Sequence, residues 1–126
     1  MTSLEIEVKF YLAEPEKIRH RIQSLGAVWV GKDHETNIRF EDADGSLLNH
    51  KALLRLRKAG SRAELTYKGP PPEASTQFKV FTELEVTVSD FDTAADLLKA
   101  LGFHREQVYE KNRETWRLAD GTVLCL

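Results

Sequence analysis

Cysteine is almost absent: Cys125 is the single one in 126 residues, which excludes an internal disulfide framework and fits a reducing compartment. A basic excess is missing too. The 18 Lys and Arg against 20 Asp and Glu leave a formal charge of −2, which argues against general nucleic-acid binding. No apolar run approaches the roughly 20 residues of a membrane-spanning helix. The opening Met1-Thr2-Ser3-Leu4-Glu5 lacks the basic and then apolar segments of a secretory signal. The expectation is a cytoplasmic protein with no membrane and no nucleic-acid partner. The four histidines, His20, His34, His50 and His104, have no i, i+4 or alternating spacing, so a zinc site is not expected.

Charge is plentiful, and it falls on strands in alternation. Glu5, Glu7 and Lys9 take one face of the first strand, while Leu4, Ile6, Val8 and Phe10 take the other, because successive strand side chains point to opposite faces. Glu83-Leu84-Glu85-Val86 repeats the paired carboxylates, Leu54-Arg55-Leu56-Arg57 pairs two arginines, and Lys111 and Arg113 share a face. Taken singly, each is most simply a solvated strand face. Their recurrence suggests that the charged faces converge.

At 126 residues with 41% apolar and 30% charged, the chain reads as one globular domain over 1–126. A first helix begins at Pro15, carries Ile18, Ile22 and Leu25 at helical spacing, and ends at Gly26. A second starts at Asp92 as N-cap, has Ala94, Leu97, Leu98 and Leu101 as its apolar stripe, and ends at Gly102. Strands are expected near 3–12, 28–41, 51–59, 62–69, 78–89, 104–118 and 122–126, with a stiff connector at Pro70-Pro71-Pro72.

The halves 3–69 and 78–126 look alike. A Glu-x-Glu strand, a helix and a glycine occur in each, with Asn37 and Arg113 eleven positions past the respective glycines. The first half continues through an Arg55/Arg57 strand and a Lys68 strand, whereas the second reaches position 126 partway through the counterpart of the first. On this repeat the domain lacks at least one C-terminal strand. Either association between chains through the edge near 122–126 or an open, C-shaped cavity is then expected.

With these residues assembled, the chain resembles the CYTH family, the triphosphate tunnel metalloenzymes, which include class IV adenylate cyclases, thiamine triphosphatases and inorganic triphosphatases. The family's Glu-x-Glu-x-Lys strand matches Glu5, Glu7 and Lys9; its Arg-x-Arg strand matches Arg55 and Arg57; its lysine strand matches Lys68 in Thr66-Tyr67-Lys68-Gly69. Its later Glu-x-Glu and Lys-x-Arg strands match Glu83 with Glu85 and Lys111 with Arg113. Two departures stand out. Phe81 and Thr82 occupy the place of an inward arginine, leaving Lys79, and the chain ends before the family's final Glu-x-Glu strand.

The resemblance implies an α+β fold: a mainly antiparallel sheet curled into a tunnel or open barrel, with two outer helices. It implies Mg2+ or Mn2+ held by Glu5, Glu7, Glu83 and Glu85, since these ions prefer carboxylates, water and substrate oxygens. Arg55, Arg57, Lys68, Lys79, Lys111 and Arg113 would clamp the phosphates, because a triphosphate with about four negative charges needs matching cations in a partly dry tunnel. Lys9 would touch phosphate or assist the nucleophile. The expected partner is ATP, thiamine triphosphate or tripolyphosphate, and the expected activity a cyclase (lyase) or a triphosphate hydrolase. A non-catalytic triphosphate or polyphosphate binder is the alternative. Arg39 and Lys79 stand evenly between tunnel lining and surface; Cys125, Trp29, Trp116 and Phe40 read as packing residues.

Overall fold

The structure, a computed structural model, describes residues 2–9, 12–70 and 79–126, without the side chains of 2–7 and 79–81. Seven strands are described: β1 (Thr2–Glu7), β2 (Val28–Glu41), β3 (Leu53–Ala59), β4 (Arg62–Gly69), β5 (Lys79–Val88), β6 (His104–Arg117) and β7 (Val123–Cys125). Their order is β1-β5-β4-β3-β2-β6-β7, and the pairs of known register are antiparallel. Helices α1 (Pro15–Ser24), α2 (Ser46–Asn49) and α3 (Phe91–Ala100) complete an α+β fold. Every expected strand has a counterpart, but β1 ends at Glu7, so Lys9, expected on the same strand as Glu5 and Glu7, lies beyond it. Most of the proline connector, and the side-chain alternation expected on β1, lie outside the described residues.

The third helix corrects the expectation of two. Asp44-Gly45 reads as a plain turn, but Gly45 takes φ 69° and one helical turn follows it. Glu41 holds that turn: Oε1 accepts the Leu47 N–H at 3.0 Å and Oε2 the Leu48 N–H at 3.0 Å. Asp42 accepts the Ser46 N–H at 2.9 Å. Carboxylates here satisfy helix-start donors that have no partner within so short a helix. Burial raises the Glu41 carboxyl, and the N–H donors of Asp42, Leu48 and Leu47 more than reverse it, leaving the group below its ordinary value.

Two compact units are distinguished, Met1–Val8 with Glu35–Glu110, and Lys9–His34 with Lys111–Leu126. In the first, one face of β2–β5 packs on α3. Ile38, Phe40, Leu56, Ala94, Ala95 and Leu98 form the buried core, joined by Leu54, Leu65, Val88, Phe91 and Phe103. Asp90, not Asp92, caps α3 and accepts the Thr93 N–H at 3.3 Å; Asp92 sits in the first turn. The buried stripe runs through Ala94, Ala95 and Leu98, whereas Leu97 and Leu101 are exposed.

In the second unit only Ile22 of α1 is buried. Arg19 Nε donates to Glu114 at 2.9 and 3.1 Å, and Trp116 Nε1 donates to Glu114 Oε2 at 2.8 Å. The Trp29 and Trp116 rings meet edge to face at 5.3 Å. Cys125 is exposed rather than a packing residue. Leu124 pairs with Trp116 and Cys125 with Thr115, so alternation turns Cys125 away from the tryptophan.

Candidate functional site

The polar face of the first unit follows from the same alternation that builds its core. Cross-strand partners share a face of a sheet. Ile38 pairs with Leu56, and Leu56 with Leu65, so these residues go to the core beside α3. Their neighbours go to the other side in rows: Asn37 opposite Arg57, Arg57 opposite Glu64; Arg39 opposite Arg55, Arg55 opposite Thr66, Thr66 opposite Glu85; Lys68 opposite Glu83. Five expected site residues, Arg55, Arg57, Lys68, Glu83 and Glu85, are thereby gathered on one face.

The face is close-knit. Arg57 Nε donates to Asn37 Oδ1 at 2.8 Å and lies 3.4 Å from Glu35 Oε1. Lys68 Nζ is 3.9 Å from Glu83 Oε2, and Thr66 Oγ1 donates to Glu85 Oε1 at 2.7 Å. Glu35, Asn37, Thr66 and Lys68 are all buried. Charges removed from water in this way need hydrogen-bonded partners, and most of these have them. Asn37 Nδ2 and Arg55 Nε are buried without a hydrogen-bond partner among the described residues.

Glu64 was not singled out by its sequence motif. Burial first, then the Glu85 charge and a hydrogen bond shared with Glu85, raise its carboxyl above the ordinary value; Arg62 and Arg57 pull the other way. Arg62 Nε lies 2.6 Å from Glu64 Oε1. A like-charged carboxyl pair on β4 and β5 fits a divalent cation, which in phosphate sites takes one or two carboxylates and completes its shell with water and substrate oxygens. Among the described residues no three acidic, histidine or cysteine side chains form a metal cluster.

The other expected residues are placed as follows. Glu5 stands opposite Phe81 and Glu7 opposite Lys79 in the β1–β5 pairing; the side chains of Glu5, Glu7 and Lys79 lie outside the described residues. Lys9, Lys111 and Arg113 belong to the second unit. Lys9 is exposed, Lys111 and Arg113 are half-buried, and Arg113 Nη1 is 3.9 Å from Cys125 Sγ. No described helix is long and apolar enough to cross a membrane.

Sequence reasoning passed over Glu35, Glu64 and Thr66, and used Asn37 only as a landmark of the repeat. The signal was available. Glu35-x-Asn37-x-Arg39-x-Glu41 and Glu64-x-Thr66-x-Lys68 are polar alternations of the same kind as Glu-x-Glu.

The CYTH domain family model matches residues 3–125. A Methanocaldococcus jannaschii protein named putative adenylate cyclase is 26% identical over 117 residues, covering 93% of this chain and 66% of that protein. A solved structure from Pyrococcus horikoshii is similar at 28% identity and a TM-score of 0.68, covering 94% of this chain and 65% of that one. A Hippeastrum structure, described as a putative adenylyl cyclase with a dominant triphosphatase activity, has 17% identity and a TM-score of 0.68, covering 91% and 68%; at that identity the likeness shows the fold alone. The chain spans slightly under two thirds of the length of the first two of these relatives.

Proposed function

The chain belongs to the CYTH domain family, and on that premise we propose that it binds a triphosphate-containing compound with a divalent metal and turns it over. The reaction is either hydrolysis of a phosphoanhydride or cyclisation of a nucleoside triphosphate. The observation that carries this reading is the polar face of β3–β5, where Arg55, Arg57 and Lys68 stand beside Glu83 and Glu85, opposite a face that packs on α3.

Arginine supplies planar paired donors and lysine a mobile point charge, so such a lining can follow several phosphate oxygens. Arg57 is held at Nε by Asn37 and Glu35, which fixes the plane of its guanidinium for a bound oxygen. Glu83 and Glu85, with Glu5 and Glu7, would hold Mg2+ or Mn2+, which would neutralise phosphate charge. Lys79, Lys111 and Arg113 would add phosphate contacts, and Lys9 would contact phosphate or help orient the nucleophile. Transfer then depends mainly on positioning and charge neutralisation. The relative named putative adenylate cyclase supports the cyclase class, and hydrolysis is the other reaction class that the family resemblance implies.

The test is incubation with ATP, thiamine triphosphate and tripolyphosphate plus magnesium or manganese, with products identified by phosphorus NMR. Cyclic nucleotide and pyrophosphate mark a cyclase, orthophosphate a hydrolase. Arg57→Glu should weaken titrated affinity by about 2–5 kcal/mol, whereas Lys17→Glu, on the exposed side of α1, should change it by ~0–1 kcal/mol. Binding without turnover would make the protein a triphosphate-binding module. No binding of any of the three would refute the proposal.

A further inference from the structure

We propose that Asn37 and Arg39 of β2 are ligand-binding residues that, with Arg55, hold a phosphate oxygen of the bound triphosphate. This rests on the functional reading above and extends the phosphate-binding surface onto β2, beyond the Arg-x-Arg and lysine strands. Three observations point there. They concern different atoms.

The first is Asn37. It is fully buried, and its amide orientation is fixed, because Oδ1 accepts the Arg57 Nε–H at 2.8 Å. The Nδ2 group must therefore point its two hydrogens elsewhere, and it has no acceptor among the described residues. A buried amide donor left unmatched costs its desolvation, and such groups are uncommon enough in folded proteins to require an explanation. A ligand oxygen supplies one.

Arg39 and Arg55 provide the second. They are direct cross-strand partners, and like charges placed directly opposite each other destabilise a sheet. Both side chains are half-buried, so water screens their repulsion incompletely. An anion between two guanidinium groups turns that repulsion into attraction, with paired donors on each side.

The third is Arg55 Nε itself, buried with no acceptor among the described residues. It lies on the row next to the Asn37–Arg57 row and shares its face. Unused donors on two neighbouring rows, next to a like-charged pair, describe an anion pocket between β2 and β3. The side chains that pack against core residues on the other face, such as Ile38 and Leu56, offer no such donors.

The experiment is calorimetric titration of tripolyphosphate, with magnesium present, into the wild type, Asn37→Asp, Arg39→Gln and, as a control, Lys58→Gln. Lys58 pairs with Thr36 and Ala63 on the opposite face and is exposed. Wild type and Lys58→Gln should bind alike. Arg39→Gln should weaken binding at least tenfold, and Asn37→Asp, which puts an acceptor where the donor was, by more.

A thermal-shift measurement separates binding from structure. Without ligand, Arg39→Gln should melt at or above the wild-type temperature, since one member of the repelling pair is gone. Its stabilisation by tripolyphosphate should shrink. A lower ligand-free melting point with an undiminished ligand shift would give Arg39 a structural role and overturn the proposal, even if Asn37→Asp fails to fold. Wild-type binding with unchanged affinity in both variants would overturn the β2 pocket while leaving the triphosphate reading intact. Failure of the wild type to bind would overturn both.

Discussion

Helices α1 and α3 close with the same backbone hydrogen bonds yet are held by different forces. In α1, Gly26 N–H donates to the Gln23 carbonyl and Ala27 N–H to that of Ile22; in α3, Gly102 donates to Lys99 and Phe103 to Leu98, each at 3.0 Å. Both glycines take positive φ, 84° and 102's 101°, the left-handed conformation that this closure requires. A 14-residue strand follows each helix. Beyond that the likeness stops. The first unit fixes α3 through apolar burial, whereas the second fixes α1 through Arg19, Glu114 and Trp116, with Ile22 the one buried residue of the helix. Apolar burial is insensitive to pH, and a charged network is not. The anchoring of α3 and that of α1 should therefore fail under different conditions.

The largest expected effect is in the first unit. Leu56 is wholly buried where β3 faces α3, so Leu56→Ala should cost about 2–5 kcal/mol through lost burial and a cavity. Urea denaturation followed by far-UV circular dichroism measures it. Leu101→Ala, at the C-cap of α3 where the side chain is 73% exposed, should stay within about 0.5 kcal/mol. Similar costs at both positions would mean that α3 is not anchored by its buried stripe.

The second unit is best broken at Glu114. Its removal leaves the Trp116 indole N–H and the Arg19 Nε–H without their acceptor, while Arg19 Nη1 keeps Glu16, a loss of about 1–3 kcal/mol for Glu114→Ala. Acid should act through the same group. The Trp116 N–H lowers the Glu114 carboxyl, burial opposes it, and Arg19 and Lys32 lower it further, so the net value lies below the ordinary one. A depressed folded value means that the stabilisation is present above the ordinary glutamate range and is lost as pH falls through the folded value. Both tryptophans of the chain, Trp29 and Trp116, lie in this unit, so their emission reports it selectively. An acid transition in tryptophan emission should precede loss of protection at core amides of β3, and Glu114→Gln should flatten it. The Asp90 and Asp42 carboxyls are also depressed, so the starts of α3 and α2 should loosen in acid while the core beneath holds. Simultaneous loss of both signals would remove the distinction between the units.

Much of this was legible in the sequence, and what was not has a physical reason. Strand alternation put Arg55, Arg57, Lys68, Glu83 and Glu85 on matching faces, and in the cross-strand register Lys68 stands opposite Glu83, and Arg55 opposite Thr66, which stands opposite Glu85. Glycine marked both helix ends for the steric reason given above. The α2 turn was missed because Glu41 and Asp42, which hold it, act through side-chain contacts with N–H groups several residues away, and spacing does not record those. The α3 stripe was misjudged for a related reason. Leu97 is more apolar than Ala95, but close approach of helix and sheet favours the small side chain, which is 1% exposed. Asn37 and Glu64 are less legible because a single polar residue in an alternation carries less signal than a doubled charge. Nothing in the spacing of Ile18, Ile22 and Leu25 revealed that α1 depends on Arg19.

The smallest effect should come from Trp29. Its ring stands edge-on to Trp116 at an interplanar angle of 81°, an arrangement in which the positive ring edge meets the negative face. Such a contact contributes about 0.5–1.5 kcal/mol beyond area burial. Trp29 is also 48% exposed, so Trp29→Leu keeps much of the apolar contact and forfeits mainly the ring geometry. The expected cost lies in the lower part of that range, below that of Glu114→Ala. Removing Trp29 also leaves Trp116 as the sole tryptophan, so urea unfolding of the variant by tryptophan emission reports the surroundings of Glu114 directly. If Trp29→Leu proved costlier than Glu114→Ala, aromatic packing rather than the Arg19–Glu114–Trp116 network would be what holds the second unit. The contrast with the apolar anchoring of α3 would then dissolve.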